Sequence, residues 1–155
     1  SEHLIQMLPA HVCRVGSSVS HGSEVDLSAF HNHLFVSTHQ CFVPRILTKT
    51  SMELAYLRSD ADIISARFGI RTSNQQITAD IYTLDWLVMP CVAYDTRGYR
   101  LGMGGGYYDR VLEKCAPMLP VRIGVAFNMQ KTMFEPDQWD QSFDWIVTES
   151  GVIRQ

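Results

Sequence analysis

This chain has no run of lysine and arginine, no CxxC pair of cysteines and no apolar stretch of membrane-spanning length. The first absence removes the electrostatic footprint of a nucleic-acid binder, and the formal net charge of −3 agrees with that. Single phosphates stay within reach, because a phosphate site needs a few donors and not a basic protein. The second absence leaves Cys13, Cys41, Cys91 and Cys115 as separate thiols. Cys41, Cys91 and Cys115 sit in apolar runs, which suits small buried hydrophobes in a reducing compartment. The third absence, with no visible signal peptide, makes the cytoplasm the expected location. Internal repeats, low-complexity segments and a GxSxG nucleophile motif are also missing. His3, His11, His21, His31, His33 and His39 crowd the start, but the spacing of His31 and His33 puts them on different faces of a helix, which is poor for shared metal ligation.

What is present is largely apolar. Hydrophobic residues make up 46% of the 155 positions and charged residues 19%, enough for one domain with a real core and too apolar for disorder over most of the length. Arg14 to Ser20 reads as a short strand. Asp26 can cap a helix on which Leu27, Phe30 and Leu34 fall at i, i+3 and i+7. Cys41 to Leu47 is a β-rich run that Pro44 is expected to break, and Met52 to Leu57 is a further strand. Arg67 to Ala79 is polar and reads as a loop or weak element. Trp86 to Ala93, Val121 to Phe127 and Trp145 to Val147 read as buried strands. Tyr108, Val111, Leu112 and Cys115 make one helical stripe, stopped by Pro117. Trp86, Trp139 and Trp145 read as core or rim aromatics. Buried strands alternating with amphipathic helices predict an α/β fold: three layers, a mostly parallel Rossmann-like sheet, helices on both faces. Ligands then bind beyond the carboxyl ends of the strands, which points to the segments after Val19, Leu47, Ala93, Phe127 and Val147.

One of those segments carries the main chemical signal. YDTRGYRLGMGGGYYDR follows the strand ending near Ala93, and Gly102, Gly104, Gly105 and Gly106 lie within five residues just before a helix. Glycines permit positive φ and close backbone approach, and the free amides of a helix start attract anions. Strand, glycine loop and helix predict a phosphate cradle, with Arg100 at its mouth. It is not a P-loop, since no Gly-Lys-Ser/Thr occurs, and a GxGxxG starting at Gly102 would need glycine where Tyr107 stands. Asp109 in the first turn would complement the helix dipole. A carboxylate beside a phosphate also suggests a bridging Mg²⁺, with Asp140 as a second or water-mediated carboxylate.

RLGMGGGYYDR at 100–110 resembles the signature of the 5-formyltetrahydrofolate cyclo-ligase (methenyltetrahydrofolate synthetase) family. HGSEVDLSAF at 21–30, CFVPRI, SMELAYL, DWLVMPCVAYDTRGYRLG, RIGVAFNMQ at 122–130 and DQWDQSFDWIVTESGV at 137–152 are similar to other segments of that family, so the resemblance spans nearly the whole chain as a single domain, 1–155. It implies an ATP-dependent ligase that converts 5-formyltetrahydrofolate to 5,10-methenyltetrahydrofolate with release of ADP and phosphate. Arg100, Leu101, Gly102, Met103, Gly104, Gly105, Gly106, Tyr107 and Tyr108 would line the ATP site, and Arg100 and Tyr107 would be catalytic. Met103 to Tyr107 would also border the folate, with Val19 and Glu24. Asp109 and Asp140 would hold Mg²⁺. The expected partners are the two small molecules alone, with no membrane or nucleic acid and the chain acting as a monomer.

Two departures from the family pattern stand out. The family's basic N-terminal helix is not seen ahead of SEHLIQML, and FGIRTSNQQ at 68–76 lacks the usual Glu-Pro. A non-catalytic folate- or nucleotide-binding relative is the alternative these departures suggest. A sugar-phosphate isomerase or acyl-transfer enzyme on a similar sheet is a third reading. It would need a base at a strand end, for which Glu24 is the tempting residue, and the glycine loop argues against it.

Overall fold

The short apolar runs become the strands of one sheet because successive side chains along each run serve opposite faces. The structure, a computed structural model, describes residues 1–66, 69–102, 104–113, 115, 120–137 and 140–155. Its elements in chain order are α1 (Glu2–Met7), β1 (Arg14–Gly16), α2 (Ser28–Val36), β2 (Gln40–Ile46), β3 (Met52–Leu57), β4 (Ile63–Ser65), β5 (Arg71–Ser73), β6 (Thr78–Ala79), β7 (Trp86–Pro90), β8 (Ala93–Tyr94), β9 (Arg100–Leu101), α3 (Tyr107–Leu112), β10 (Val121–Val125), β11 (Trp145–Thr148) and β12 (Gly151–Arg154). Eight strands form the main sheet in the order β12-β11-β10-β7-β1-β2-β3-β6. The central five, β11 to β2 in that order, are parallel, and β12, β3 and β6 add antiparallel edges. The mostly parallel α/β sheet predicted from the sequence is therefore present.

Alternation along the strands divides the core in two. Val15, Val43, Val88 and Ile123 face α1 and α2, meeting Leu4, Phe30 and Leu34. Phe42, Leu87, Met89 and Ile146 face the other way and pack with Leu112 of α3 and with Phe143. Each such fully buried side chain contributes about 1.5–3 kcal/mol of transfer free energy. At Gly124 the sheet has no room for a side chain, because a Cβ would overlap the Phe143 ring. The predicted stripe of Tyr108, Val111, Leu112 and Cys115 packs on this second core. Pro117 and Trp139 lie outside the described residues.

The crossover from β1 to β2 runs through α2 on one face, and the crossover from β7 to β10 runs through α3 on the other. Right-handed connections on opposite faces must travel in opposite directions, so the strand order reverses between β1 and β7. A crevice opens at the carboxyl ends of these two strands.

Three local expectations need correction. Pro44 does not break its strand: β2 runs through it, paired with Leu54 of β3. It lies past the last β1 pairing, at Phe42, so its missing N–H costs no ladder bond on that side, and its carbonyl accepts from the Thr72 hydroxyl at 2.8 Å. The buried run from Trp86 stops as a sheet strand at Pro90, and Ala93–Tyr94 forms a separate hairpin with Arg100–Leu101. Asp26 stands one residue before the N-cap, Leu27, and its carboxylate accepts the Ser28 N–H and hydroxyl at 2.9 Å each.

The one histidine sealed into α2 gives the fold a pH dependence. His31 is 3% exposed, and its Nε2 lies 2.9 Å from the Ser17 hydroxyl at the end of β1. Burial pushes its pKa from 6.5 down to about 4, against a smaller opposing effect of Asp60 and Asp26. The folded state thus prefers the neutral ring. That contribution is complete above pH 6.5 and is lost as the pH falls from there toward 4. The loss amounts to about 3 kcal/mol. Urea unfolding of the protein and of His31→Gln at pH 7.5 and at pH 4.5 should show a smaller acid loss in the variant, and equal losses would remove His31 from the account.

Candidate functional site

The carboxyl ends of β1, β7 and β10 surround a cleft of about 200 Å³, lined by Glu24 and Val25, by Cys91 and Val92, and by Val125 and Gln130. Its lining is mixed, with a carboxylate and a carboxamide among apolar side chains. Glu24 is half-buried, with Oε2 accepting the His21 N–H at 2.9 Å in the turn before α2. The Cys91 thiol is pushed up to about 12 by burial, so it is not a nucleophile at neutral pH.

The glycine loop is presented beside this cleft by the β8–β9 hairpin. The hairpin turn is built on Asp95, which is fully buried and accepts the N–H groups of Arg97 and Tyr99 on Oδ1 and the Arg97 Nε on Oδ2. Arg100 follows on β9 and is itself 5% exposed. Its Nη2 donates to Asp109 Oδ1 at 2.6 Å, and its guanidinium lies 5.9 Å from the Phe143 ring centre. This ion pair joins the residue before the loop to the first turn of α3. Between them Gly104 and Gly106 adopt φ of 80° and 59°, a region closed to most side chains, and Gly106 is the N-cap of α3. Gly102 and Gly105 have no such φ; a Cβ at Gly105 would meet the Tyr107 ring at 2.9 Å.

A second contact holds the loop from the far side. The turn between β2 and β3 docks on it: the Tyr107 hydroxyl donates to Thr48 O and the Arg110 Nε to Thr50 O, both at 3.3 Å. Arg110 also lies over the Tyr107 ring, 5.1 Å from its centre, and donates to Gly105 O at 2.8 Å.

Several of the residues singled out from the sequence converge here. Arg100, Gly102, Gly104, Gly105, Gly106, Tyr107, Tyr108 and Asp109 form one continuous loop and helix start. Leu101 is 42% exposed beside them, and Met103 lies outside the described residues. The Tyr108 hydroxyl and the Arg100 Nε are buried without a hydrogen-bond partner. Burial pushes the Tyr108 phenol up; the Arg100 charge opposes that and the Glu24 carboxylate adds to it.

Other residues singled out from the sequence are paired with one another or stand apart. Arg100 and Asp109, assigned from the sequence to different partners, neutralise each other. Asp140 is half-buried, its Oδ2 accepting the Asp137 N–H at 2.8 Å, and among the described residues no three His, Cys, Asp or Glu side chains converge on a metal position. Val19 does not share the Glu24 cleft. It lines a second one of about 270 Å³ with His31, Asp60 and Arg71. The 20–27 turn stands between the two clefts, pinned by the Ser20 hydroxyl, which donates to Val25 O at 2.8 Å and accepts the Leu27 N–H at 3.1 Å. Sequence reasoning pointed to the segments after Leu47 and Phe127 but singled out neither Thr48 and Thr50 of the β2–β3 turn nor Gln130, because these join the site through tertiary approach and carry no local motif.

The ion pair has a measurable consequence. Removing one partner of a buried pair strands the other charge, at about 3–5 kcal/mol. Asp109→Ala should therefore lose about 3 kcal/mol in urea unfolding, and the double change Arg100→Met with Asp109→Leu should lose much less. A loss under about 1 kcal/mol for the single variant would mean that the pair is not a clamp.

Residues 2–149 match the family model described as the 5-formyltetrahydrofolate cyclo-ligase family. The chain is 32% identical over 134 residues to a 5-formyltetrahydrofolate cyclo-ligase of Haemophilus influenzae, covering 83% of this chain and 72% of that one. A mouse protein of the same description is 26% identical over 150 residues, covering 89% and 74%. Among solved structures, the 5,10-methenyltetrahydrofolate synthetase of Aquifex aeolicus superposes with a TM-score of 0.81 at 29% identity, over 99% of this chain and 79% of that one. The synthetase of Mycoplasma pneumoniae gives a TM-score of 0.73 at 22% identity, over 94% and 79%, and supports the fold. Among the described residues no helix is long and apolar enough to cross a membrane.

Proposed function

The chain belongs to the 5-formyltetrahydrofolate cyclo-ligase family, and we propose that its glycine loop and the neighbouring cleft work together to convert 5-formyltetrahydrofolate and ATP to 5,10-methenyltetrahydrofolate, ADP and phosphate. The observation that carries the residue-level reading is the meeting of two features at the strand-order reversal. A loop with two glycines in the left-handed region ends on one side of the crevice, and a half-buried carboxylate, Glu24, lines the other.

The chemistry needs that juxtaposition. The formyl oxygen of the substrate is a poor leaving group. It attacks the γ-phosphorus of ATP and the bond to the ADP oxygen breaks. The folate N10 then attacks the activated formyl carbon, loses its proton and expels phosphate, which closes the ring. Most of the rate enhancement in such a transfer comes from positioning and charge neutralisation. The amides of Gly102, Gly104, Gly105 and Gly106 would be the donors to phosphate oxygens. Arg100, paired with Asp109 through Nη2, keeps a buried Nε that has no hydrogen-bond partner among the described residues. Tyr107 at the helix start and the unpaired Tyr108 hydroxyl lie where the two substrates would meet. Glu24 suits the amino and ring N–H groups of the pterin, which present paired donors to a carboxylate. Val19 would contribute where the folate reaches past the 20–27 turn into the second cleft.

Asp109 and Asp140 are the carboxylates that would hold Mg²⁺. Asp109 keeps one oxygen outside its bond to Arg100, and Asp140 offers a second carboxylate. Mg²⁺ usually takes one or two carboxylates and completes its shell with phosphate oxygens and water, so three converging protein ligands are not required. When bound it would offset the negative charge of the phosphates.

A purely binding role is not favoured, since the family match runs through residues 2–149 and the relatives are described as cyclo-ligases. The direct test follows methenyltetrahydrofolate by its absorbance. Product should form only when 5-formyltetrahydrofolate and MgATP are both present, and no product under those conditions would sink the reading. Gly104→Val provides the residue-level check. A β-branched residue is strained at a φ of 80°, yet a Cβ there meets nothing within 4 Å, so the effect should be local. The KM for ATP should rise at least about tenfold with the KM for folate little changed. Equal effects on both substrates would contradict the assignment of the loop to ATP.

A further inference from the structure

Gln130 has no role in the reading above, yet its carboxamide bonds fully across the wall of the cleft. It sits at the end of the single-turn helix Asn128–Gln130 that follows β10. Its Oε1 accepts the Phe127 N–H at 2.6 Å. Its Nε2 donates to Cys91 O at 2.7 Å and to Val92 O at 3.1 Å, the two residues that follow β7. Both amide hydrogens are used, and the oxygen is used as well. The Val92 N–H in turn donates to Leu101 O at 2.8 Å, directly before Gly102. A continuous line of hydrogen bonds therefore runs from the end of β10, through the end of β7, to the root of the glycine loop.

The near end of that line is itself anchored. The Asn128 N–H donates to both oxygens of Glu149, at 3.1 and 2.9 Å, and the Asn128 side chain bonds the Ser150 hydroxyl in the turn between β11 and β12. The Thr132 N–H donates to Tyr94 O at 2.9 Å, so the segment leaving the turn is tied to the β8–β9 hairpin. Gln130 is thus held on a rigid support and is the side chain that bonds this support to the β7 exit.

We propose that Gln130 is a positioning residue for the reaction: its carboxamide fixes the cleft wall at Cys91–Val92 on the turn after β10, and through the Val92 N–H bond to Leu101 O this wall holds the root of the glycine loop. This rests on the assignment of folate to the cleft and ATP to the loop. The argument is chemical as well as geometric. Nε2 faces two carbonyl oxygens, so only a donor is tolerated there, and Oε1 faces an N–H, so only an acceptor is tolerated there. A carboxamide meets both demands. A carboxylate of the same shape would face two carbonyl oxygens, and it would relieve the repulsion by taking up a proton at a higher pH than an ordinary glutamate. A displacement of about 1 Å between reacting groups can cost about a hundredfold in rate, so a clamp at this place acts on turnover more than on binding.

The experiment compares the protein with Gln130→Ala and Gln130→Glu. Backbone hydrogen exchange at 100–106 should quicken by about tenfold or more in Gln130→Ala, with β2 and β3 unaffected. In turnover, kcat should fall by about tenfold or more in Gln130→Ala while the two KM values change little. Gln130→Glu should be worse than Gln130→Ala at pH 8 and should recover activity as the pH is lowered toward 6, a recovery absent from Gln130→Ala. Unchanged exchange at 100–106, or a Gln130→Glu pH profile that superposes on the parent's, would overturn the proposal. Exchange is read whether or not the parent turns over, so failure of the coupling and failure of the reaction are told apart.

Discussion

Arg100 and Asp109 are drawn together at 2.6 Å in a place where water screens them only from the Asp109 side, and the loop between them has to take whatever path that distance leaves. Arg100 is 5% exposed and leans toward the Phe143 ring, so neither partner can be lost cheaply. The span they close includes Gly104 and Gly106, whose left-handed φ values let the chain turn back on itself and start α3 without a side chain in the turn. A buried ion pair is a weak source of net stability but a strong source of shape. Here it fixes the two ends of the glycine loop, at β9 and at the first turn of α3.

The sheet decides where that loop sits. Because β1 is followed by a crossover toward β2 and β7 by a crossover toward β10, the two connections diverge and leave a crevice at the carboxyl ends. Every element of the site reaches this crevice from a different strand end: Glu24 from the segment after β1, the β2–β3 turn from the end of β2, the glycine loop by way of β7 and the β8–β9 hairpin, and Gln130 from the end of β10. The parallel core supplies rigidity through its two apolar faces, and loops of different lengths supply the chemistry. Gly124 shows how tightly that core is drawn, since the Phe143 ring occupies the space of a side chain there.

Much of this is legible in the sequence where the controlling physics is local. The run Trp86–Pro90 is apolar throughout because both faces of a central parallel strand are covered, and Met52–Leu57 reads correctly as a strand because its pattern is short and clean. The glycine loop is legible because no ordinary strand-to-helix turn needs four glycines. What the sequence conceals is decided by distance in space. That Arg100 spends its charge on Asp109 follows from the path of the loop, not from the spacing of the two residues. Val19 and Glu24 are five residues apart and fall in different clefts because the Ser20 hydroxyl ties down the turn between them. Pro44 survives inside a strand because its neighbour β1 has already ended. Gln130 lies in an exposed turn with no motif, and its three bonds become visible only when β10 is laid beside β7.

The central claim is that the loop closed by Arg100 and Asp109 receives the phosphates of ATP. It is tested most directly by following backbone amide resonances while MgATP is added to the folded protein. The account predicts that the largest shifts fall on Gly102, Gly104, Gly105 and Gly106 and on the first turn of α3, and that later addition of 5-formyltetrahydrofolate moves Glu24 and Val92. Saturable binding of MgATP that leaves those glycine amides unmoved and instead shifts the residues around His31 and Arg71 would contradict it.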